Sequence, residues 1–347
     1  MSFHQVVALG HKHIGAGHPP YVIAEMACAH NGEVSAARKL VDAADAAGAD
    51  AIQLQFFVPE HTVTPHHEAH AVLQEIAFSE AEWTEVFSFA RTRRPHVWVC
   101  TYDVPSVALA VKLGADGIKL NSADLSNPEV LVDVARSRIP FTLGTGASSQ
   151  EEIERGLQTA SDQGARDVVL MHGVQNFPTA IDELNISRLA WLRQTFAGLP
   201  VGYADHTSGD DPFSRQVDLI ALGVGADVIE KHICLDRGHG IDSQAALEPD
   251  ELSAFVETVR TGYRALASPG LSGFTKSDLR YRRFQKKSIV AARDIAIGET
   301  LCRADVAFLR NDTPGIPPID WEARIAGRRT SRRIAKHENI TPDMVEQ

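Results

Sequence analysis

A repeated pattern of apolar and amphipathic segments constrains this chain more than any other feature. From Tyr21 onward, eight short β-rich runs alternate with stretches of helical periodicity. The runs are YVIAEMA, AIQLQFF, VWVCTY, GIKLNS, FTLGTG, VVLMHG, VGYADH and VIEKHICL. Eight strands that alternate with helices over ~250 residues predict a closed (β/α)8 TIM barrel. An open doubly wound sheet is the alternative, and the absence of a Gly-x-Gly-x-x-Gly turn after the first run disfavours it.

A change of composition near residue 270 predicts a second, smaller domain. We expect residues 1–270 to form the barrel, 271–285 a linker and 286–347 a small, mostly β domain. Residues 280–347 hold 14 Lys and Arg against 9 Asp and Glu, a net of +5, and the total of −11 then leaves −16 for residues 1–279. The basic segment is either a module that docks on an acidic barrel, its own or a neighbouring subunit's, or an ordinary solvated face.

Charge, hydropathy and cysteine spacing exclude several classes of protein. The formal net charge of −11 argues against nucleic acid or an anionic membrane as a partner. We see no signal peptide and no apolar run of about 18 residues. The four cysteines lie far apart in the sequence, which fits free thiols in a reducing cytoplasm.

Polar residues cluster at the ends of the predicted strands. In a barrel of this kind the chemistry lies at the C-terminal ends of the strands, which meet at one mouth. We therefore expect a site there. The candidate residues are Glu25, Gln53, Gln55, Thr101, Lys119, Ser122, Asp124, Thr145, His172, Asp205, His206, Glu230 and His232.

Two histidines end neighbouring strands and predict a metal site. A single strand histidine is usually a core residue, but His206 and His232 are close enough in the predicted barrel to share one ion. Two imidazoles with few soft ligands suit Mn²⁺, Fe²⁺, Co²⁺ or Zn²⁺ in an open site. Asp205 and Glu230 are candidates for orienting these ligands.

A lysine and two hydroxyls predict a phosphate site. Lys119, Ser122 and Thr101 fall at barrel strand ends, where they would cradle a phosphate. The alternative is that Lys119 pairs with Glu25 or Asp124. Two histidine-rich stretches, His11-Lys12-His13 and His66-His67, lie outside the predicted strands, and we expect them at the surface.

Several longer motifs resemble the sialic acid synthase family. They are IAEMACAHNGEVSAARKLVDAADAAGAD, IKLNSADLSNPEVL, YADHTSG, IEKHICLDRGHGIDSQAALEPDEL and SIVAARDIAIGETL. The last resembles that family's small C-terminal antifreeze-like (SAF) domain. The resemblance implies a metal-dependent synthase that condenses phosphoenolpyruvate with a sugar aldehyde and releases phosphate.

The resemblance also implies roles for single residues. His206 and His232 would hold the metal, commonly Mn²⁺, with Mg²⁺, Co²⁺, Fe²⁺ and Zn²⁺ as alternatives. Glu25 would act on water or order the acceptor, and Glu25 or Asp124 would transfer protons. The substrate-binding residues it implies are Gln55, Thr101, Lys119, Ser122, Asp242 and Arg310. Arg310 would come from the partner subunit of a domain-swapped homodimer.

The chain departs from the family where the donor and acceptor bind. Gln53 replaces the usual lysine, Asp124 a glutamate and Gly144 a serine, while Gln175 and Phe177 replace asparagine and tyrosine. A charge-assisted hydrogen bond contributes about 1.5–3 kcal/mol, so losing the lysine should weaken binding of the donor carboxylate. We expect Gln53, Gln55, Gln175 and Phe177 to line the substrate pocket.

Three functions remain open at the level of the sequence. The first is a synthase that uses phosphoenolpyruvate or a similar enol phosphate. The second is a diverged enzyme that uses another phosphorylated donor or catalyses an aldolase or lyase reaction. The third is a non-catalytic sugar-binding relative. The acceptor is an N-acetylmannosamine-like sugar, a di-N-acetylated hexose or an unmodified aldose.

Overall fold

Two compact units make up the chain in the computed structural model, Met1–Leu266 and Ala267–Gln347. The structure describes residues 3–266 and 273–346. Each unit has a hydrophobic core of its own.

An antiparallel hairpin, which the sequence did not predict, begins the first unit. Its strands are β1 (Val6–Leu9) and β2 (Lys12–Gly15), and Gly10 takes a φ of 58° in the turn between them. The buried hairpin side chains Val7, Leu9 and Ile14 pack with residues from the barrel interior. His11 and His13 are exposed, as expected, but Lys12 and His13 belong to β2, a strand that the sequence did not predict.

A closed barrel of eight parallel strands forms the centre of the first unit. Each strand pairs with the next along the chain, and the last pairs with the first. The strands are β3 (Tyr21–Glu25), β4 (Ala51–Phe56), β5 (His96–Thr101), β6 (Gly117–Leu120), β7 (Phe141–Gly144), β8 (Val168–His172), β9 (Val201–Asp205) and β10 (Val228–His232). Each begins within one residue of a predicted run, so the predicted (β/α)8 barrel is confirmed.

Helices surround the barrel and begin and end at ordinary capping signals. Ser79 and Glu82 form a capping box at one of them, and Ser149 and Glu152 at another. Gly48 ends the first helix in the left-handed region, at a φ of 73°. The helices are α1 (Val34–Ala47), α2 (Pro59–Thr62), α3 (His70–Ile76), α4 (Glu80–Ala90), α5 (Val104–Leu113), α6 (Pro128–Ser137), α7 (Gln150–Asp162), α8 (Ser187–Thr195), α9 (Ser214–Gly223) and α10 (Pro249–Leu266).

The barrel strands are buried on both faces. One face packs against the helices through residues such as Val22, Leu54 and Ile118. The other fills the barrel interior, where Tyr21 and Trp98 are among the largest buried side chains. Burial on both sides explains why these strands are almost continuously apolar in the sequence.

The second unit is a small domain with an antiparallel pair of strands. It contains α11 (Lys276–Phe284), β11 (Lys287–Ala291), β12 (Val306–Arg310) and α12 (Trp321–Arg324). The helix α11 begins at a capping box of Thr275 and Asp278, so most of the predicted linker 271–285 is helical, while residues 271 and 272 lie outside the described residues. Across residues 3–266 and 273–346, no helix has the length and hydrophobicity that crossing a membrane requires.

Candidate active site

The alternation of side chains along a strand determines which strand-end residues face the barrel interior. Ile23, Ala51, Trp98, Ala204 and Val228 belong to the inner core. Side chains two residues apart on a strand point to the same face. The inward-facing polar residues at the C-terminal ends are Glu25, Gln53, Gln55, Cys100, Lys119, His206, Glu230 and His232.

Four of the predicted strand-end residues point the other way. Each lies an even number of positions after the helix-facing residues of its strand, so its side chain points toward the helices. The four residues are Thr101, Thr145, His172 and Asp205. All four are buried. They belong to the layer between the strands and the helices, and the ring of polar residues at the mouth is smaller than the sequence predicted.

Thr101 is therefore a correction to the predicted phosphate site. It pairs in register with Phe56 and Leu120, both in the helix-facing core. Its hydroxyl is fully buried and has no hydrogen-bond partner among the described residues. The inward-facing residue at this point is Cys100, whose Sγ lies 3.3 Å from Asn121 Nδ2. Its spacing of two from Trp98 was the signal that would have identified it.

A buried charged cluster occupies the barrel interior. Lys119 Nζ donates to Glu230 Oε1 and, at 3.3 Å, to Glu25 Oε2. Gln53 Nε2 donates to Glu230 Oε2 at 3.3 Å, and Glu25 Oε1 accepts from Ala27 N at 2.8 Å. Lys119 thus pairs with Glu25, as the alternative sequence interpretation allowed, and the cluster remains next to the mouth.

The protonation of this cluster departs from that of exposed groups. Burial raises the pKa of Glu25 to about 7; Lys119 opposes the shift and Glu230 adds to it. Burial on its own would lower the pKa of Lys119, but the two carboxylates outweigh it and raise that pKa. Lys119 is therefore charged at neutral pH, and Glu25 exchanges a proton near neutrality.

His206 and His232 lie together at the same end of the barrel. Their ring centroids are 5.0 Å apart, with the ring planes at 86°. His206 Nδ1 is 2.6 Å from the carbonyl oxygen of Val174. A carbonyl can only accept, so Nδ1 carries the hydrogen and Nε2 keeps a free lone pair, which is the tautomer of a metal ligand.

The donor set of this pair fits a divalent cation. Ligand atoms of His206, Glu230 and His232 all lie within 4.8 Å of one another. Burial lowers the pKa of His206, and burial together with His206 lowers the pKa of His232, so both rings are neutral and able to bind a metal. Two imidazoles and a carboxylate suit Mn²⁺, Fe²⁺, Co²⁺ or Zn²⁺. Glu230, predicted as an orienting residue, lies close enough to the pair to act as a third ligand, although its oxygens also accept from Lys119 and Gln53.

The loop after β8 covers the histidine pair. The ring of Phe177 is 4.4 Å from that of His206 and 5.5 Å from that of His232. Gln175, two residues earlier, is exposed. Phe177 presents an apolar face to the candidate metal site, and it lacks the hydroxyl that tyrosine would provide.

Ser122 lies beside the end of β7. Its Oγ accepts from the backbone N–H of Gly146 at 2.9 Å, which leaves the hydroxyl hydrogen free to donate. A Cβ on Gly144 would stand 2.6 Å from Ser122 N and 2.7 Å from its Oγ. The glycine that replaces the family's serine therefore permits this close approach, so the residue at position 144 and the placement of Ser122 are coupled.

The remaining predicted residues are spread more widely. Asp124 accepts from Asn127 Nδ2 at 2.9 Å, and no bond to the Lys119 cluster joins it within the described residues. Gln55 Nε2 is 3.5 Å from Cys28 Sγ. Asp242 is partly buried, which raises the pKa of its carboxyl. Arg310 is exposed at the end of β12 in the second unit.

The outward-facing neighbours of the two histidines form a second buried network. Lys231 Nζ donates to Asp205 and, at 3.2 Å, to Asp218 of α9. Asp205 also accepts from the hydroxyls of Tyr203 at 2.9 Å and Thr207 at 2.7 Å. Asp205, a candidate for orienting the metal ligands, bonds to neither histidine among the described residues and instead joins β9, β10 and α9 behind the site.

Comparison with known families gives two matches along the chain. The NeuB family matches residues 40–269, and the SAF domain matches residues 286–346. The N,N'-diacetyllegionaminic acid synthase of Campylobacter jejuni is 30% identical over 318 residues, covering 87% of this chain and 93% of that protein. The enzyme of the same name from Legionella pneumophila is 27% identical over 356 residues, covering 97% and 98%.

A solved structure shares the same architecture. The N-acetylneuraminic acid synthetase of Leptospira borgpetersenii, crystallised with citrate, superposes with a TM-score of 0.74. It is 27% identical in sequence, and the match covers 81% of this chain and 97% of that one.

Proposed function

Because the chain belongs to the NeuB family, we propose that it is a synthase that joins phosphoenolpyruvate to a sugar aldehyde. A bond forms between C3 of the enol phosphate and the aldehyde carbon, water adds at C2, and inorganic phosphate leaves. The product is a 2-keto-3-deoxy sugar acid of the sialic acid type. The relatives named as synthases of legionaminic and N-acetylneuraminic acid support this class of product.

The observation that carries the proposal is the combination of two clusters in one barrel mouth. A neutral histidine pair shares Glu230 with a second cluster, in which Glu230 and Glu25 hold the charged Lys119. The first cluster suits an aldehyde oxygen, and the second suits an anionic donor and a proton transfer. A binding protein would need neither the free imidazole lone pairs nor a carboxyl whose pKa is raised to about 7.

The donor phosphate would be held by Lys119 and Ser122. Lys119 supplies the charge, and its ammonium has three hydrogens for ligand and carboxylates together. The Ser122 hydroxyl, fixed by the N–H of Gly146, is free to donate. Cys100 faces the interior in place of Thr101 and gives the donor site a weakly polar wall.

Proton transfer and acceptor binding use other residues of the mouth. Glu25 is buried beside Lys119, where it can take a proton from the attacking water. A divalent cation on His206, His232 and Glu230, Mn²⁺ in our proposal, would polarise the aldehyde oxygen. Gln55 and Asp242 would bind the acceptor hydroxyls, while Phe177 shields the histidine pair from water.

A second candidate differs in the donor. Gln53 is neutral, its Oε1 has no partner among the described residues, and Lys119 already serves two carboxylates. The barrel mouth thus carries less positive charge beside a donor carboxylate than it would carry with a lysine at position 53. An enzyme that uses another phosphorylated donor, or an aldolase or lyase reaction, would keep the phosphate and metal sites and tolerate this loss.

A ³¹P NMR time course distinguishes the two. The protein would be incubated with Mn²⁺, phosphoenolpyruvate and a panel of N-acetylated and unmodified sugar aldehydes. Phosphate release that depends on the acceptor is the expected result. If no acceptor triggers release from protein that still binds metal, the donor is a different one.

The histidine pair can be tested directly. We expect His206→Ala to abolish metal binding and turnover together, because it removes the ligand oriented by Val174. His172→Asn is the matched control: His172 ends the neighbouring strand but points to the helices, so its replacement should leave metal content unchanged. Metal-dependent turnover in His206→Ala would contradict the assignment.

We further propose a domain-swapped homodimer in the cytoplasm, with small molecules as its only substrates. The charge difference between the two parts of the chain supports docking of the basic domain on a partner's acidic barrel. Arg310 would then reach the partner's acceptor sugar. The four free cysteines support a reducing compartment.

A further inference from the structure

A second concave site lies at the opposite end of the barrel. It is a cavity of about 250 Å³ lined by His11, Lys12, His13, His18, Pro19, Pro20, Tyr21, Asp50 and Arg260. Tyr21 begins β3 and Asp50 immediately precedes β4, so the cavity is at the N-terminal ends of the strands. The active-site residues are at the other ends, and none of them lines this cavity.

The charges around the cavity are mainly positive. Asp50 is its only carboxylate, and both oxygens are already used: Oδ2 accepts from Val22 N at 2.8 Å, and Oδ1 accepts from Lys12 and lies 3.5 Å from Arg260 Nη2. Arg260 Nη2 also donates to Gly48 O at 2.6 Å. Among the described residues, Nε and Nη1 of Arg260 have no acceptor, so two guanidinium nitrogens remain for a ligand.

Three imidazoles add further donors. The rings of His11, His13 and His18 make no hydrogen bond to another group in residues 3–266 and 273–346, and those of His13 and His18 stack with centroids 5.0 Å apart. The nearby carboxylate of Asp227 is held by Arg193 at 2.9 Å. Nitrogen atoms with no partner among the described residues therefore line a cavity formed in part by the hairpin and two prolines.

We propose that this cavity binds a small dianion, a phosphate monoester or a dicarboxylate. Lys12 and Arg260 supply two positive charges against one carboxylate, on a part of the chain whose net charge is −16 over residues 1–279. A pocket of positive sign on an acidic body is the arrangement that selects a compact anion. The ligand would join β2 to α10 and tie the hairpin to the barrel.

A metal ion does not fit the same residues. Lys12 and Arg260 would repel a cation. Within the described residues, the sole group of three or more ligands close enough to share an ion is the one formed by His206, Glu230 and His232. The anion therefore remains as the occupant that the charges favour.

Calorimetry on the full chain, with inorganic phosphate and malonate titrated separately, tests the proposal. Sodium chloride at matched ionic strength controls for screening. Arg260→Gln should weaken dianion binding about tenfold, the effect of losing one charge-assisted hydrogen bond. Arg264→Gln is the matched control, because Arg264 lies one turn further along α10 and pairs with Glu257 at the surface. Phosphate bound in the active site contributes equally to both variants.

His18→Gln provides a second test that does not disturb the hairpin's ion pair. It should also weaken binding, and the better of the two titrants identifies the ligand as a phosphate ester or a dicarboxylate. Equal affinities in Arg260→Gln and Arg264→Gln would overturn the proposal. So would binding of Zn²⁺ that is lost in His18→Gln, with no response to either anion. None of these outcomes depends on turnover, so the synthase proposal stands or falls separately.

Discussion

A single amide sets the charge of the barrel interior. Gln53 is fully buried and donates to Glu230, but its own oxygen has no partner in the described part of the chain. With glutamine at this position, two carboxylates face one lysine; a lysine here would balance them. Burial raises the pKa of Glu25 in this setting, and the neighbouring Glu230 adds to the shift while Lys119 opposes it.

Restoring the missing charge should strengthen donor binding. We expect Gln53→Lys to lower the KM for phosphoenolpyruvate about tenfold, through one charge-assisted hydrogen bond to the carboxylate. Gln53→Met, which removes the amide and adds no charge, should not lower it. Steady-state kinetics at saturating acceptor measures the difference. An unchanged KM in Gln53→Lys would mean that the donor carboxylate does not lie beside residue 53.

His30 shows the effect of burying a titratable ring in which only one nitrogen has a hydrogen-bond partner. It is completely buried against Phe78 and Trp83, with ring centroids 4.3 Å and 5.4 Å away. Nδ1 accepts from Gly32 N at 3.2 Å, and Nε2 has no partner among the described residues. Burial lowers the pKa of His30 to about 4.

The contribution of His30 to the stability of the fold should therefore fall in mild acid. The unfolded chain protonates His30 near pH 6.5, whereas the folded chain resists until about pH 4, so the stabilisation is present above pH 6.5 and is lost between these values. At pH 5 the loss is about 2 kcal/mol. Urea denaturation of the wild type and of His30→Gln, at pH 7.5 and pH 5, measures it. A loss of equal size in both proteins would assign the effect to other groups.

The limits of sequence analysis are clearest at single strand-end residues. The sequence proposed His206, His232 and Lys119 for the site, together with Glu25 and Gln53, because a polar group inside an apolar strand is costly to bury and usually has a function. The structure places these five side chains at the same end of the barrel. Thr101 was assigned to the site and Cys100 was not, because the sequence shows a polar residue but not the face on which it lies. Because side chains alternate along a strand, a shift of one residue moves a side chain from the interior of the barrel to the face that packs against the helices.

At the scale of elements, a buried ion network joins β9, β10 and α9. Lys231, Asp205 and Asp218 are completely inaccessible to solvent. Removing one partner of such a group leaves uncompensated charge in the interior, which costs much more than the loss of a surface pair. The network lies directly behind the two histidines and fixes the strands that carry them.

Lys231→Met should accordingly lower the free energy of unfolding by about 3–5 kcal/mol. The control is Lys112→Met, which breaks an exposed pair with Glu80 and should cost no more than about 1 kcal/mol. Chemical denaturation of both variants provides the comparison. Similar values for the two lysines would show that water reaches the network.

The sequence predicted whole elements well where periodicity was long. All eight barrel strands were located, and the resemblance to the sialic acid synthase family is confirmed by the NeuB match. The hairpin β1–β2 was missed because it precedes Tyr21, where the repeated alternation of strands and helices begins, and no such repeat supports strands this short. The helix α11 was taken for a linker because its helix-forming residues follow a Pro, Gly and Ser segment.

At the scale of the whole molecule, the proposed domain swap makes a prediction about mixtures. His206→Ala and Arg310→Ala would each inactivate both sites of their own homodimer. In a mixed dimer, the barrel of one chain and the small domain of the other are intact, so one complete site forms. Random exchange should restore about a quarter of wild-type activity. If each variant alone is inactive and the mixture stays inactive after refolding together, Arg310 acts within its own chain.

The alternation of inward and outward residues at the strand ends also matters for engineering. His206 and His232, which we assign to chemistry, each lie next to a residue of the buried network, Asp205 and Lys231. Neighbouring codons therefore encode residues with different roles, one for the chemistry of the site and the next for the stability of the fold. A mutagenesis library meant to change substrate choice should randomise every second position, such as 53, 55 and 100, and leave the intervening codons untouched. Libraries that saturate continuous stretches would lose most members to misfolding before any new activity was screened.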